Sequence, residues 1–121
     1  TLPSGEKIKE IKNIVDENAL GVMLSCVSPE NFEKNLHELK NLKVPFGFKL
    51  NGFVTTKLQE SYTSVFLGKK TNPNEILGKR KDLTPFKIQE ITKRFKDAGA
   101  TILGGCCETS PSHIKAISRI K

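Results

Sequence analysis

Short apolar runs alternate with longer amphipathic segments along this chain of 121 residues. The apolar runs have the length and composition of buried strands, and each is followed by apolar residues at helical spacing. The predicted strands span about 21–25, 46–50 and 101–103. The helices that follow them each begin with a capping hydroxyl residue and a proline: Ser28-Pro29, Thr84-Pro85 and Ser110-Pro111. This alternation predicts an α/β fold in which a parallel sheet is joined by right-handed crossovers.

Thiol and amide side chains follow the predicted strands. Cys26 comes after the first apolar run, Asn51 after the second, and Cys106 and Cys107 after the third. Ligands of parallel α/β folds bind at the carboxyl ends of the strands, so these side chains are expected to lie at one edge of the sheet. Three thiols at a converging edge predict a metal site, and zinc is the metal that such a donor set favours.

The adjacent cysteines also allow other interpretations. Cys106 and Cys107 could be small buried apolar residues, as unpaired cysteines often are, or a pair of redox-active thiols. A closed structural zinc site would need a fourth ligand, for which His113 is the nearby candidate. The two preceding glycines, Gly104 and Gly105, are expected to let the backbone turn tightly, so that two successive thiols reach one metal.

The composition limits the setting of this protein. With 36% hydrophobic residues the chain can form a core, but it has no run of about 18 apolar residues that would cross a membrane. Three cysteines, an odd number, argue against a disulfide framework and favour a reducing, cytoplasmic compartment. The net charge of +7 is compatible with nucleic-acid binding. The basic residues are spread along helix surfaces without interleaved aromatic residues, however, so a solvated surface is the favoured interpretation.

Two cysteine motifs resemble the homocysteine S-methyltransferase family. The first comprises the run Gly104-Gly105-Cys106-Cys107 with Thr109, Pro111, His113 and Ile114. The second comprises Gly21-Val22-Met23-Leu24-Ser25-Cys26-Val27-Ser28-Pro29-Glu30 and is accompanied by the turn Leu50-Asn51-Gly52. The resemblance covers most of the chain except about 53–83, which are expected to form a long loop with a short helix near Thr56 to Tyr62.

The resemblance implies a fold and an activity. Residues 1–121 would be the C-terminal part, about three βα units, of a (β/α)8 TIM-type barrel that binds homocysteine. A zinc ion would be held by three thiolates, those of Cys26, Cys106 and Cys107. The reaction would transfer a methyl group from a small donor to the homocysteine thiol and give methionine. The donor is left open among S-methylmethionine, betaine and the methylfolate–cobalamin route.

Two departures from the family pattern lie beside the cysteines. Ser25 stands where the family usually has asparagine, and Glu108 stands where it commonly has glycine. Either residue could alter the pocket without removing the metal. Ser25, Asn51 and Gly105 are the residues expected to contact the substrate.

The length of the chain sets a further expectation. Three parallel strands do not close a barrel, which needs roughly 250 residues. We therefore expect the remaining barrel segment, or a second copy of the chain, as a partner, and we expect the isolated chain to be inactive. The alternative is a non-catalytic fragment or binding module, with a structural zinc or buried free cysteines and a basic surface that docks a partner.

Overall fold

The computed structural model describes residues 5–54 and 77–120, and it contains one helix followed by three strand–helix units. The elements are α1 (Ile8–Asn18), β1 (Val22–Val27), α2 (Pro29–Leu39), β2 (Phe46–Leu50), α3 (Pro85–Asp97), β3 (Ile102–Gly105) and α4 (Pro111–Ser118). The predicted α/β class is therefore confirmed, and the strand at 46–50 has the predicted bounds. The short helix predicted near Thr56 to Tyr62 lies outside the described residues.

The three strands form one parallel sheet in the order β1-β2-β3, so β2 is central. Its last residue, Leu50, pairs with Val27 on one side and with Gly105 on the other. The carboxyl ends of all three strands therefore lie at the same edge of the sheet. The pairing of β1 with β2 is irregular between Leu24 and Val27, which marks a bulge at the end of β1.

The predicted helix starts are confirmed at two of the Ser/Thr-Pro pairs by hydrogen bonds. The Ser28 hydroxyl accepts from the Asn31 backbone amide at 3.3 Å, and the Thr84 hydroxyl accepts from the Lys87 amide at 3.2 Å. Each bond satisfies a backbone donor that the first helical turn leaves without an intrahelical partner. Gly99, after the end of α3, has a positive φ (+115°), a conformation that glycine adopts readily.

An aromatic cluster joins the central strand to two helices. The rings of Phe32 (α2), Phe48 (β2) and Phe95 (α3) are completely buried, and their centroids lie 4.8–5.6 Å apart in edge-to-face or tilted arrangements. Such geometry suits the quadrupoles of aromatic rings and adds to the free energy of burying them. Because Phe48 lies two residues before the end of β2, this cluster fixes the strand end where the candidate site residues lie.

The two glycines before the cysteine pair do not form the predicted turn. Gly104 and Gly105 belong to β3, and neither has a positive φ. Gly105 is needed for space, because a Cβ atom there would come within 2.9 Å of Ile114 Cδ1 and 3.0 Å of Thr109 Cβ. The expectation of a glycine turn is therefore wrong, since the packing of α4 against β3 leaves no room for a side chain at Gly105.

The backbone turns instead at two residues that are not glycine. Among the described residues other than glycine, only Cys26 (φ 52°) and Glu108 (φ 59°) have a positive φ. This left-handed conformation costs an L-residue about 1–2 kcal/mol. Both positions lie at the edge of the sheet where the strands end, one in the bulge of β1 and one directly after the cysteine pair.

The two ends of the predicted long loop pair with each other. Phe53 and Lys79 form an antiparallel bridge, and the Val54 amide donates to the Gly78 carbonyl at 2.9 Å. The Arg80 amide donates to the Gly52 carbonyl at 2.7 Å. Within the described ranges, no helix has the length and apolar character needed to cross a bilayer.

We expect Gly47→Ala to destabilise the protein by about 1–3 kcal/mol, because a Cβ atom there would overlap the backbone carbonyl of Ile102 in the neighbouring strand. Urea unfolding of the purified protein measures this difference. Gly104→Ala is the control, since its Cβ would make ordinary contacts at 3.5 Å with Lys49 and 3.6 Å with Phe48. Its stability is expected to change by less than about 1 kcal/mol. Equal losses in both variants would contradict the packing described for β2 and β3.

We expect Glu108→Gly to raise stability by about 1 kcal/mol, because glycine adopts the left-handed conformation at this position without steric cost. The same substitution at Glu90, within α3, is expected to lower stability by about 1 kcal/mol. Thermal unfolding of the two variants measures these opposite effects. A loss of stability in both variants would show that the backbone at Glu108 is not strained.

Candidate metal centre

The three cysteine sulfurs form a cluster at the carboxyl edge of the sheet. The Sγ atoms of Cys26, Cys106 and Cys107 all lie within 4.8 Å of one another. The Sγ atom of Cys107 is 3.9 Å from that of Cys26 and 3.9 Å from that of Cys106. Cys26 and Cys107 are 81 positions apart in the sequence, so the parallel sheet brings them together.

The spacing of two of the three sulfur pairs fits a tetrahedral metal site. With zinc–sulfur bonds of about 2.3 Å, two thiolates on one tetrahedral zinc lie about 3.8 Å apart. The two sulfur pairs at 3.9 Å match this separation closely. A set of three thiolates also suits zinc in its chemistry, since soft sulfur donors favour this ion over magnesium or calcium.

The exposure of the thiols argues against the interpretation as buried apolar residues. Cys26 and Cys106 are half-buried and Cys107 is exposed. The sulfurs therefore line a cluster that opens to the surface and that small molecules can approach. Within the described residues, no histidine, aspartate or glutamate joins the three cysteines to complete a group of four.

Three successive residues at the end of β2 hold the backbones of the cysteines. The Leu50 carbonyl accepts from the Cys106 amide at 2.7 Å, and the Gly52 amide donates to the Cys107 carbonyl at 2.9 Å. The Asn51 side chain donates through Nδ2 to the Cys26 carbonyl at 2.5 Å. The central strand therefore holds all three candidate ligands, although they come from two other strands.

The chain beyond the cysteine pair is closed by a turn. The Thr109 amide donates to the Cys106 carbonyl at 3.2 Å, and the Thr109 hydroxyl donates to the same oxygen. Glu108 lies inside this turn, and its carboxylate is 3.9 Å from the Lys79 ammonium group at the base of the long loop. The ion pair joins the cysteine segment to the residues that flank the loop.

The environment shifts the pKa values of two of the thiols in opposite directions. Burial, together with interactions with the Cys106 and Cys107 thiols, raises the pKa of the Cys26 thiol to about 12. Burial also acts to raise the pKa of Cys106, but the Cys107 amide, the other two thiols and the nearby Lys49 lower it below its usual value. Three thiolates at such short distances repel one another, and a bound cation would offset that repulsion.

The three residues predicted to contact substrate lie close to the sulfur cluster but differ in exposure. Ser25 is exposed on β1 beside Cys26. Gly105 is half-buried at the end of β3. Asn51 is completely buried, and its contacts are with the chain itself: Cys26 and the Phe53 amide, from which its Oδ1 accepts at 3.1 Å. Substrate contact by these residues stays a prediction.

His113, the candidate for a fourth ligand, is engaged elsewhere. Its ring is buried at the start of α4, where Nδ1 accepts from the Ser110 amide at 3.0 Å. The proton must then be on Nε2, which donates to the Leu83 carbonyl at 2.7 Å. Both ring nitrogens are thus used to fix the helix start against the segment before α3. His113 therefore caps α4 and lies outside the sulfur cluster.

Two contributors to this centre were missed by sequence reasoning. Lys49 acts on the Cys106 thiol, and its position on β2 between two buried residues, Phe48 and Leu50, was a signal that its side chain lies on the other face of the sheet. No sequence pattern indicated the hydrogen bond from the Asn51 side chain to the Cys26 carbonyl, because that bond forms where the pairing of β1 with β2 is irregular.

Comparison with known proteins supports the resemblance. The sequence model of the homocysteine S-methyltransferase family matches residues 1–120. Homocysteine S-methyltransferase 1 of Brassica oleracea var. italica is 28% identical over 124 residues, which cover 97% of this chain and 32% of that protein. The enzyme of the same name in Arabidopsis thaliana is 28% identical over 126 residues, with the same coverage of both chains.

A shorter match is more similar. Homocysteine S-methyltransferase 1 of Zea mays is 40% identical over 52 residues, which cover 43% of this chain and 14% of that protein. The chain spans about a third of the length of the relatives that it matches from end to end. Because the family model covers all but the last residue, this chain belongs to the homocysteine S-methyltransferase family.

Proposed function

We propose that this chain carries the zinc site of an enzyme that transfers a methyl group to the homocysteine thiol and forms methionine. The observation that carries the proposal is the group of three sulfurs within 4.8 Å of one another in a chain of this family. Cys26, Cys106 and Cys107 would be the protein ligands. Three protein ligands leave a fourth position for substrate, as a catalytic zinc site requires.

The chemistry divides between the ion and the chain. A bound zinc ion would lower the pKa of the homocysteine thiol, so that a reactive thiolate persists at neutral pH. The chain supplies the three sulfur donors and holds their backbones from the end of β2. The exposed Ser25 and the half-buried Gly105 border the cluster and would contact the amino acid. The homocysteine sulfur would form a bond to the methyl carbon while the bond between that carbon and the donor breaks. The electron pair of the broken bond would stay on the donor.

The fold of the whole protein is part of the proposal. Residues 1–121 would be the C-terminal part of a homocysteine-binding (β/α)8 barrel, with the long loop at about 53–83 as an insertion. A parallel sheet whose strands are each followed by a helix supports this view, as does the match to about a third of each full-length relative. The remaining barrel segment would supply most contacts to homocysteine and to the small methyl donor. Three unpaired thiols favour a reducing compartment such as the cytoplasm.

Ion pairs of two arginines weigh against the alternative function, a binding module that docks a partner through a basic surface. Arg80 pairs with Glu30 at 2.8 Å and with Asp82 at 2.7 Å. Arg94 lies 3.6 Å from Glu33. These two arginines are each neutralised by nearby carboxylates, which argues against their taking part in a basic docking surface.

We expect Cys106→Ser in the full-length protein to lose zinc and to lower methyl transfer by more than about 100-fold, because a ligand contributes more than the second-shell groups whose loss costs 10–100-fold. Zinc content is measured by atomic spectroscopy on protein purified under reducing conditions. Methionine formation is measured with S-methylmethionine and with betaine. Removing the zinc from the unchanged protein with a chelator should release three reactive thiols.

Ser118→Ala, at the other end of α4, is the control and should keep both zinc and activity. Two results would contradict the proposal: freshly purified full-length protein without zinc, or unchanged methyl transfer by Cys106→Ser. Unchanged transfer would instead support the interpretation of the cysteines as free thiols.

We expect the isolated 121-residue chain to form no methionine under conditions in which the full-length protein turns over. The reason is that most of the proposed barrel, with its substrate contacts, lies outside this chain. Methionine production by equal molar amounts of the two proteins, each supplied with zinc, measures the difference. Comparable turnover by the two would contradict the barrel proposal and favour a site completed by a second copy of the chain.

A further inference from the structure

We propose that Asn51 is a positioning residue whose side chain sets the backbone of Cys26 for metal binding. This role rests on the proposed zinc site and differs from the substrate contact predicted from the sequence. It concerns one hydrogen bond, from Asn51 Nδ2 to the Cys26 carbonyl, with a length of 2.5 Å.

The orientation of the Asn51 amide is fixed by its second partner. The Phe53 backbone amide can only donate, and it lies 3.1 Å from Asn51 Oδ1. The nitrogen of the side chain must therefore face the Cys26 carbonyl. The Asn51 backbone amide donates to the Val27 carbonyl at 3.0 Å, so the residue holds the chain at Cys26 and at the next residue.

Cys26 needs this support because its local structure is strained. It has a φ of 52° and lies where the pairing of β1 with β2 is interrupted between Leu24 and Val27. A left-handed cysteine in a bulge is stable only where surrounding contacts determine it. The Asn51 side chain binds the Cys26 carbonyl in the interval where the regular ladder is broken, and it thereby favours the conformation that directs the thiol to the other two sulfurs.

The hydrogen bonds from the end of β2 to the three cysteines differ in whether they come from the main chain or from a side chain. Cys106 and Cys107 are held by the Leu50 carbonyl and the Gly52 amide, which are main-chain groups. Among the contacts from the end of β2, only the one to the Cys26 carbonyl is made by a side chain. The Thr109 hydroxyl also donates to the Cys106 carbonyl, but Thr109 belongs to the turn of the cysteine segment itself. Asn51 is also completely buried, so it is placed to act on the metal site through the chain.

The test is Asn51→Asp in the full-length protein. Aspartate has the same shape and can still accept from Phe53, but it replaces the donor that faces Cys26 by an oxygen. We expect zinc affinity, measured by competition with a chromophoric chelator, to fall by about 10–100-fold, as it does when other second-shell partners are lost. With Co²⁺ in place of zinc, we expect a weaker thiolate-to-cobalt absorption band, because Cys26 no longer ligates at full occupancy.

Asn35→Asp is the matched control. Asn35 also donates from Nδ2 to a backbone carbonyl, that of Asn31, at 2.7 Å, but it lies within α2. Its zinc affinity and cobalt spectrum should equal those of the unchanged protein. Comparing Asn35→Asp with Asn51→Asp therefore distinguishes the general effect of losing a side-chain amide donor from the effect of losing the donor that binds Cys26.

A second measurement distinguishes positioning from general damage to the sheet. In a Cys26→Ala background, Asn51→Asp should cause no further loss of zinc affinity, because the residue that it positions has already gone. A purely structural effect would lower the affinity by the same factor in both backgrounds. Equal factors would overturn the proposal, and so would an Asn51→Asp protein with unchanged affinity and an unchanged cobalt spectrum.

Folding is checked by circular dichroism before metal is added. If Asn51→Asp is unfolded, Asn51→Ala takes its place, since it removes the donor without placing a carboxylate against the carbonyl. If both are unfolded while Asn35→Asp is folded, Asn51 is required for the fold itself and the positioning role is overturned. Absence of zinc from the unchanged protein would overturn the proposed function, whereas unchanged binding by folded Asn51 variants would overturn this inference alone.

Discussion

Hydrogen bonds from the end of the central strand determine where the three thiols lie. Leu50 and Gly52 bind the backbones of the adjacent cysteines, and Asn51 binds that of Cys26. The strand end is fixed in turn by Phe48, whose ring packs between Phe32 and Phe95. Packing of the aromatic core thus sets the geometry of a polar site at the edge of the sheet, which is how a rigid scaffold positions functional groups.

Close approach of three thiols favours the binding of a cation at this cluster. Burial and the other two thiols raise the pKa of Cys26, while the Cys107 amide, the other thiols and Lys49 lower the pKa of Cys106. Sulfur pairs at 3.9 Å are already near the separation that tetrahedral coordination requires, so little rearrangement is needed on binding.

Much of the fold and the identity of the three thiols could be predicted from the sequence. Alternating apolar runs and helix caps such as Ser28 are local signals, and the parallel order follows from them. Backbone conformation at the site was not predictable in this way, because it depends on pairing between distant segments. Cys26 adopts a positive φ where β1 loses register with β2, and Gly105 is required by contacts with Thr109 and Ile114.

The bridge between Phe53 and Lys79 joins the two ends of the segment that separates β2 from α3. Val54 and Gly78 lie beside this bridge, and the Val54 amide donates to the Gly78 carbonyl. A different segment exchanged between these two points would begin and end at positions that hydrogen bonds already fix. Sequence changes between these two points would leave in place the hydrogen bonds by which Leu50, Asn51 and Gly52 hold the cysteine backbones.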